Sequence, residues 1–490
     1  LLTIRLARNA SQAHPRCILG MHLATSYFRI SPKYDGGVSM IRKMGEFFTR
    51  VMEKYLPDAY LFAIILTFIS FILALIFTDA GFMGTINAWW GGIWGILAFA
   101  MQMTLILVTG HSLALAPPVK RVLAGIARVA NTPAKAVFLV ALVAGICSWL
   151  QWGFGLIVGG LLAVEIAKRV EGVDYPLLIA AAYAGFLTWH MGISGSTPLT
   201  IATAGNPANH IEKLTGQVIP VTQTMFASWN IWPAMFLIVS VAGLLAMAIP
   251  TRDKARPLSK EAIGLLEEEE KQEEAERRNV QMDTWAQRIE NSRIINYIFA
   301  AMGVIYLVNY FIQKGFALDL NLVIGIFLFL GIILHERPIN YARAVNKAIK
   351  GAGGIALQFP LYGGIQGLMM GTGLASVIAG WFVAISTTRT FYMLQFWAAG
   401  LLNMFIPSGG GQWAAQGSIT VQASQMIGQE PVKAAMMVAW GDQWTNMIQP
   451  FWALPLLGLA NLKARDIMGY TTLVLLWSGV VLSIVALLIA

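Results

Sequence analysis

Charge is scarce in this chain. Asp, Glu, Lys and Arg together supply 12% of its 490 residues, against about 25% in a typical soluble domain. Hydrophobic residues supply 57% and the mean hydropathy is +0.64, which excludes an ordinary soluble domain and leaves a polytopic membrane protein. Cysteine is nearly absent: Cys17 and Cys147 are too few and too far apart for a disulfide framework. The six histidines show no metal-ligand spacing, so neither a metal site nor a cofactor is expected. Enzymatic signals are equally thin. Ser194-Gly-Ser-Thr197 lacks a Lys-Ser/Thr ending, a preceding strand and a His/Asp partner at a recognisable spacing. A net charge of +9 would point to nucleic acid in a soluble protein, but here the basic residues lie mostly in short loops beside apolar runs, where they act as orientation signals. Membrane lipid, and no nucleic acid, is the partner implied.

Long apolar runs at 60–78, 93–116, 176–205, 229–249, 294–312, 320–335, 351–373, 432–460 and 469–489 give about nine candidate transmembrane helices. Two more apolar stretches, 136–165 and 391–425, are broken at their centres by Gly and Pro and read as re-entrant hairpins. Non-helical backbone at that depth needs protein or a water-filled cavity to satisfy it. With the N-terminus cytoplasmic, 25 basic residues fall in inside loops and only Lys213, Lys314, Arg389 and Lys433 outside, a partition that holds only if both hairpins return to their own side. Residues 1–39 carry five basic residues and one acid, lack the apolar core of a signal peptide, and are expected to be poorly ordered or outside the native frame. Residues 40–59 read as a cytoplasmic amphipathic helix.

A repeated spacing organises the rest. Gly153 lies 32 positions before Gly185 and Gly409 lies 32 before Gly441; a shift of 256 carries Gly153 to Gly409, Gly185 to Gly441 and Met191 to Met447. Each half also has a second break, at Met191-Gly-Ile-Ser-Gly-Ser-Thr-Pro198 and at Asn446-Met-Ile-Gln-Pro-Phe-Trp-Ala-Leu-Pro455. The halves, 60–249 and 320–489, each read as span, span, hairpin, broken span, span. They are joined by a charged cytoplasmic linker at 250–293 and a linking helix at 294–312. The second half begins on the opposite side, so the repeats are inverted, and paired breaks in inverted repeats mark the binding site of a secondary transporter.

Candidate substrate-binding residues cluster at these breaks. They are Gln151, Trp152, Gly153, Phe154 and Gly155 at the first tip and His190, Ser194, Gly195, Ser196 and Thr197 at the first broken span. In the second half they are Ser408, Gly409, Gly410, Gly411 and Gln412 at the tip, with Trp444 and Asn446 in the broken span. Helix N-terminal amides there would attract a carboxylate, while carbonyls and hydroxyls would suit a small cation; ordinary glycine packing between helices is the alternative. Asp442, with Gln449 beside it, is the candidate for ion coupling, because a carboxylate at a helix centre costs roughly 2.5–3.5 kcal/mol in the bilayer. A structural polar network is the competing account. Glu165, close to Lys168 and Arg169, reads as an interfacial ion pair.

From Met40 onward the sequence resembles the short-chain fatty acid transporter family of bacteria, the AtoE-like permeases for acetoacetate, butyrate and related acids. The residues that carry the resemblance include Tyr55-Leu-Pro-Asp58, Val108-Thr-Gly-His111, Trp152-Gly-Phe-Gly155, Asp174-Tyr-Pro-Leu-Leu178, Ile406-Pro-Ser-Gly-Gly-Gly411, Asp442-Gln-Trp444 and Arg465-Asp-Ile-Met-Gly469. The resemblance implies an all-α, elevator-type transporter of the bacterial inner membrane that carries a small monocarboxylate with H⁺ or Na⁺. It also implies a homodimer. A carrier of a larger or dicarboxylate anion in the same architecture is the alternative, with a membrane enzyme or channel behind it.

Overall fold

The computed structural model describes residues 40–55, 59–206, 208–278, 282–315 and 320–490, so the leader at 1–39 lies outside the described residues. No strand occurs among them. The chain begins with α1 (Met40–Tyr55), α2 (Ala59–Phe77), α3 (Gly81–Gly95), α4 (Leu97–Ala114) and α5 (Pro117–Ala127). Next come α6 (Pro133–Leu150), α7 (Trp152–Ala167) and α8 (Tyr175–Ala184); a 3₁₀ segment (Gly185–Met191) and α9 (Ser196–Ile201) complete the broken span. After α10 (His210–Thr215) and α11 (Ser228–Met247) follow the linker helices α12 (Lys260–Arg278) and α13 (Trp285–Glu290) and the linking helix α14 (Arg293–Lys314). The second half contains α15 (Leu320–His335), α16 (Pro338–Ala348), α17 (Gly353–Gly371), α18 (Leu374–Ala384), α19 (Phe391–Asn403), α20 (Gly409–Ile427), α21 (Pro431–Thr445), α22 (Leu454–Ala460) and α23 (Ala464–Leu488).

Local sequence explains many of these ends. Proline opens α5, α6, α8, α16 and α21, where its missing N–H costs nothing. Asp174 caps α8 by accepting from the Leu177 N–H at 2.8 Å.

The molecule is a multi-pass membrane protein. Among the described residues six stretches are long and apolar enough to cross a bilayer: Gly81–Ala114, Pro133–Leu150, Tyr175–Ile201, Ser228–Met247, Arg293–Lys314 and Ala464–Leu488; Pro133–Leu150 is the first arm of the hairpin expected at 136–165, which was expected to be too short to cross. The pair Pro360–Gly371 and Leu374–Ala384, bent by 66°, raises the number to seven at most. About nine were expected, of which 93–116, 176–205, 229–249, 294–312 and 469–489 correspond to stretches named here. Phe451–Ala460 is among the apolar helices of 10–17 residues, and at about 1.5 Å per residue it stops short of a hydrocarbon core about 30 Å thick, whereas the helix of the run expected at 60–78, α2, has 19 residues. The run expected at 93–116 instead starts at Gly81 and is interrupted at Ile96.

The breaks form two helix–turn–helix hairpins. In the first, the close pairs Gly155 with Ser148 and Gly159 with Ala144 converge on Gln151, so α6 and α7 run antiparallel about that residue. In the second, the Gln412 side chain reaches back from α20 to donate to the Ala399 carbonyl of α19 at 2.7 Å. The 32-residue spacing now has a physical cause: each broken span crosses the first arm of its own hairpin at a glycine. A Cβ on Gly185 would stand 2.5 Å from Ala144 Cβ, and one on Gly441 would stand 2.6 Å from Ala399 Cβ. Only glycine allows either approach.

Contacts between the halves come in matched pairs. The 256 shift carries Leu97, which opens α4, onto Gly353, which opens α17. Helix α4 packs on α15 and α16 of the other half, and α17 packs on α2 and α3. The α3–α17 crossing is lined with small residues, Gly92 meeting Gly363 and Gly367, so the two backbones nearly touch. Helix α1 docks along α23, with Gly45 against Leu473 and Tyr470. Glu165 pairs with Arg169 at 2.6 Å and with Lys168 at 3.7 Å, the ion pair expected of it.

Candidate substrate and coupling site

The two broken spans meet at a buried polar cluster. Their loops lack the regular helical pattern, so side chains from both halves satisfy the freed backbone groups, Gln443 and Tyr183 from the opposite half. Gln443 Oε1 accepts from the His190 and Met191 N–H groups at 3.0 and 3.2 Å, and Asn230 donates to the Met191 carbonyl at 2.9 Å. In the second break Tyr183 donates to the carbonyls of Asn446 at 2.7 Å and Gln449 at 3.3 Å, and Thr471 donates to that of Met447. Asn403 ties the Asp442 carbonyl to Thr445 Oγ1 and Asn446 Oδ1. Gln443 belongs to the polar face beside Asp442 that the sequence offers for a structural network, whereas Asn403, Tyr183, Asn230 and Thr471 escaped the sequence reading, since an isolated polar residue in an apolar run reads equally well as a surface or a core position.

At the centre, His190 Nδ1 lies 2.9 Å from Asp442 Oδ2, with both side chains fully buried. The other ring nitrogen, Nε2, is 3.0 Å from the Thr197 backbone N–H and 3.1 Å from Ser196 Oγ. An N–H can only donate, so Nε2 accepts and the ring proton sits on Nδ1, facing the carboxylate. Asp442 Oδ1, Asn446 Nδ2 and both polar atoms of the Gln449 side chain are buried without a partner among the described residues. Gly195 turns the chain into α9 in tight contact with the His190 carbonyl.

The second hairpin tip touches this cluster with one face. Gly409 lies against the His190 imidazole and Ser196 Oγ so closely that a Cβ would overlap them. The other face of the tip opens on a cavity of about 360 Å³. Ser408, Gly410 and Gly411 line one wall; Gly92, Gly95 and Ile96 of the α3–α4 junction and Gly363, Gln366, Gly367 and Met370 of α17 line the other. Ser408 Oγ accepts from the Gly411 N–H and the Ser408 carbonyl from Gln412 N–H. The N–H groups of Gly409 and Gly410 have no partner among the described residues. They stand at the N-terminus of a 19-residue helix, where amides and the helix dipole favour an anion. No Lys or Arg is among the lining residues.

The first tip is differently placed. Gln151 accepts from the Phe154 N–H, and Trp152 N–H donates to Ser194 Oγ at 3.0 Å, so these amides are used internally. The Gly153 carbonyl lies close to Gly110 of α4. Phe154 stacks on Phe327 and Trp152 packs among Phe186, Trp189 and Trp452. Gln412 spends its amide on Ala399, and Trp444 packs on Gly400 and Gly479 while donating to the Leu475 carbonyl at 2.8 Å. The structure therefore brings His190, Ser196, Thr197 and Asp442 to the second tip, and places Gln151 to Gly155, Gln412 and Trp444 outside the cavity wall.

Gln366 and the glycines facing the tip are the site residues that the sequence reading missed. A signal existed: the 256 shift carries Gly110, which packs on the first tip, to Gln366, whose Nε2 stands 2.5 Å from where a Cβ on Gly411 would be. Gly95 faces open space, with no atom within 4 Å of an added Cβ. The variant Gly95→Leu should therefore fold normally and fill the cavity. Uptake of a four-carbon acid is expected to fall at least about tenfold while acetate uptake falls less, since each excluded methylene is worth about 0.8 kcal/mol; competition by C2 to C6 acids measures this.

The family described as short chain fatty acid transporter matches residues 40–489. A curated protein of Escherichia coli described as a short-chain fatty acid transporter is 42% identical over 442 residues, covering 90% of this chain and 98% of the relative. One of Haemophilus influenzae with the same description is 40% identical over 443 residues, with the same shares covered. Among solved structures, the YdaH transporter of Alcanivorax borkumensis superposes with a TM-score of 0.46 at 16% identity, over 90% of this chain and 97% of that one.

Proposed function

Because the chain belongs to the short chain fatty acid transporter family, whose members are transporters and not enzymes, we propose that it is a secondary carrier of short monocarboxylates in the bacterial inner membrane. In this reading the carboxylate binds at the second hairpin tip, and a coupling ion binds at the adjoining polar cluster. The observation that carries it is the small cavity lined by Ser408, Gly410 and Gly411 at the N-terminus of α20, a helix end whose Gly409 and Gly410 amides have no partner among the described residues.

The chemistry of the wall suits the cargo. A short fatty acid needs a few donors for one charge and apolar surface for a short tail, and glycine, Ile96 and Met370 supply the latter. With about six heavy atoms and a ceiling near −1.5 kcal/mol per atom, binding stays weaker than roughly −9 kcal/mol, so micromolar to millimolar affinity is expected. A dicarboxylate would call for a second cationic or amide site, which the lining residues lack.

The paired contacts between the halves support an exchange-type relation of the repeats and, with it, alternating access. The second tip faces a cavity while the first is packed on Gly110 and Phe327, as in a carrier open toward one side. An elevator-like movement of the hairpins and broken spans against α2 to α4 and α15 to α17, in a homodimer, belongs to the same proposal.

Counterflow in proteoliposomes tests this reading. Labelled butyrate or acetoacetate should accumulate transiently against an internal pool of unlabelled acid, and succinate should not replace the pool. A channel, or a dicarboxylate carrier, gives the opposite outcomes.

A further inference from the structure

We propose that the His190–Asp442 pair is the proton site of the transport cycle, and that His190 transmits its protonation state directly to the second hairpin tip. This inference rests on the carrier reading above and deepens it by choosing the coupling ion. Three observations lead to it. Four backbone carbonyls that a sodium ion could use at the breaks are engaged, those of Asn446 and Gln449 by Tyr183, that of Met447 by Thr471 and that of Met191 by Asn230, which leaves side-chain oxygens such as Thr197 Oγ1, Asp442 Oδ1 and Gln449 Oε1 without a partner among the described residues. Sodium needs such oxygens in number, whereas a proton needs one basic atom. The second observation is the geometry of the dyad, in which Asp442 Oδ2 takes the Nδ1 proton and Oδ1 is left bare. The third is what lies on the far side of the ring: Nε2 holds the Thr197 N–H and Ser196 Oγ, and Gly409 rests on the imidazole.

Protonation therefore has a mechanical consequence. In the structure as seen, Nε2 accepts, and a proton arriving there turns an acceptor into a donor facing another donor, the Thr197 N–H. That hydrogen bond is lost, the N-terminus of α9 is released, and Ser196 and the imidazole shift against Gly409, which has no side chain to absorb the movement. The incoming proton comes from water on the open side and leaves to water on the other, with no other reactant needed; the Asp442 carboxyl faces Nδ1 on the opposite edge of the ring. Other titratable groups stand on the elements packed around this segment, but each is directed elsewhere where a partner is seen: Tyr183 to the second break, Tyr175 to Ala460, Glu165 to Arg169 and Lys433 to Glu430. Lys135 opens α6 far from the tip, and Cys147 lies on the same helix near it, without a contact to the ring among those described. Asp442 is the charged group that touches the imidazole.

The test is His190→Asn, which replaces the imidazole by an amide that does not titrate and places at 190 the residue type found 256 positions later at Asn446. In proteoliposomes, the wild type should take up butyrate with acidification of the lumen read by an internal pH dye, and counterflow should vary with pH. In His190→Asn, counterflow, whatever its rate, should become independent of pH between 5.5 and 8, and uptake should no longer be driven by an inside-alkaline gradient. Full gradient-driven uptake by the variant, or uptake by the wild type driven by Na⁺ without proton movement, overturns the proposal. Absence of counterflow in the wild type would instead refute the carrier reading. Should the variant fail to fold, Gly410→Cys decides: its maleimide labelling above that of the parent chain, which carries Cys17 and Cys147, normalised to the denatured protein, should change severalfold across the same pH range, and an unchanged rate overturns the proposal.

Discussion

Replacing Gly410 by valine is expected to abolish butyrate uptake while leaving a folded, monodisperse protein. Gly410 lines the cavity, and the nearest atom to an added Cβ there is Ser196 Cβ at 3.7 Å, an ordinary van der Waals contact. The branched side chain would cover the helix-end amides of Gly409 and Gly410 without displacing backbone. Each charge-assisted hydrogen bond contributes about 1.5–3 kcal/mol, so loss of two lowers apparent affinity by at least about 100-fold. Gly409→Val provides the contrast, because its Cβ would strike the His190 ring and disturb the cluster itself. Uptake assays beside size-exclusion profiles separate the two cases, and normal transport by Gly410→Val would show that the tip does not approach the substrate.

Asp442→Asn should eliminate concentrative uptake yet retain exchange. The asparagine oxygen can still accept the Nδ1 proton of His190, and the surrounding hydrogen bonds to the residue 442 carbonyl are unaffected. Removing a fully buried charge relieves a desolvation cost, so the fold is expected to tolerate the change. What is lost is the anion that attracts the coupling cation. Exchange of labelled for unlabelled acid does not need the empty carrier to return and should continue. Asp442→Glu, which keeps the charge and adds one methylene, should retain part of the concentrative activity. Gradient-driven uptake by the Asn variant at wild-type level would reduce Asp442 to a structural role.

Much of this architecture could be read from residue order. Scarce charge and the lengths of apolar runs bespeak a multi-pass helical protein, because the bilayer penalises each charged residue and each unsatisfied peptide group separately. The hairpins were legible for a similar reason: Gly and Pro break a helix locally, wherever it lies, and their recurrence at a fixed spacing is a property of the chain alone. Even the partners of Gly185 and Gly441 were half visible, since a glycine at the same distance from two tips implies the same close crossing.

The number of spans and the composition of the site were decided otherwise. Whether Ala59–Phe77 or Leu320–His335 reaches across a bilayer depends on a few residues at its ends and on what it packs against. The cavity wall comes from Gly92, Gly95 and Gln366, far from the tip in sequence and brought to it only because small residues let α3 and α17 approach closely. Trp152, Phe154 and Trp444 show the converse: an aromatic beside a glycine break reads as a ligand contact, and in the fold it fills space between helices. Sequence by itself determined the class, the breaks and the candidate charges, all of which follow from local composition against a uniform solvent. Tertiary structure alone decided that His190 faces Asp442 from the other half, 252 residues away, and that the first tip donates its Trp152 amide to Ser194 while the second tip borders a cavity. Hydrogen-bond satisfaction is settled by which groups meet in space, and that meeting is a property of the packed molecule.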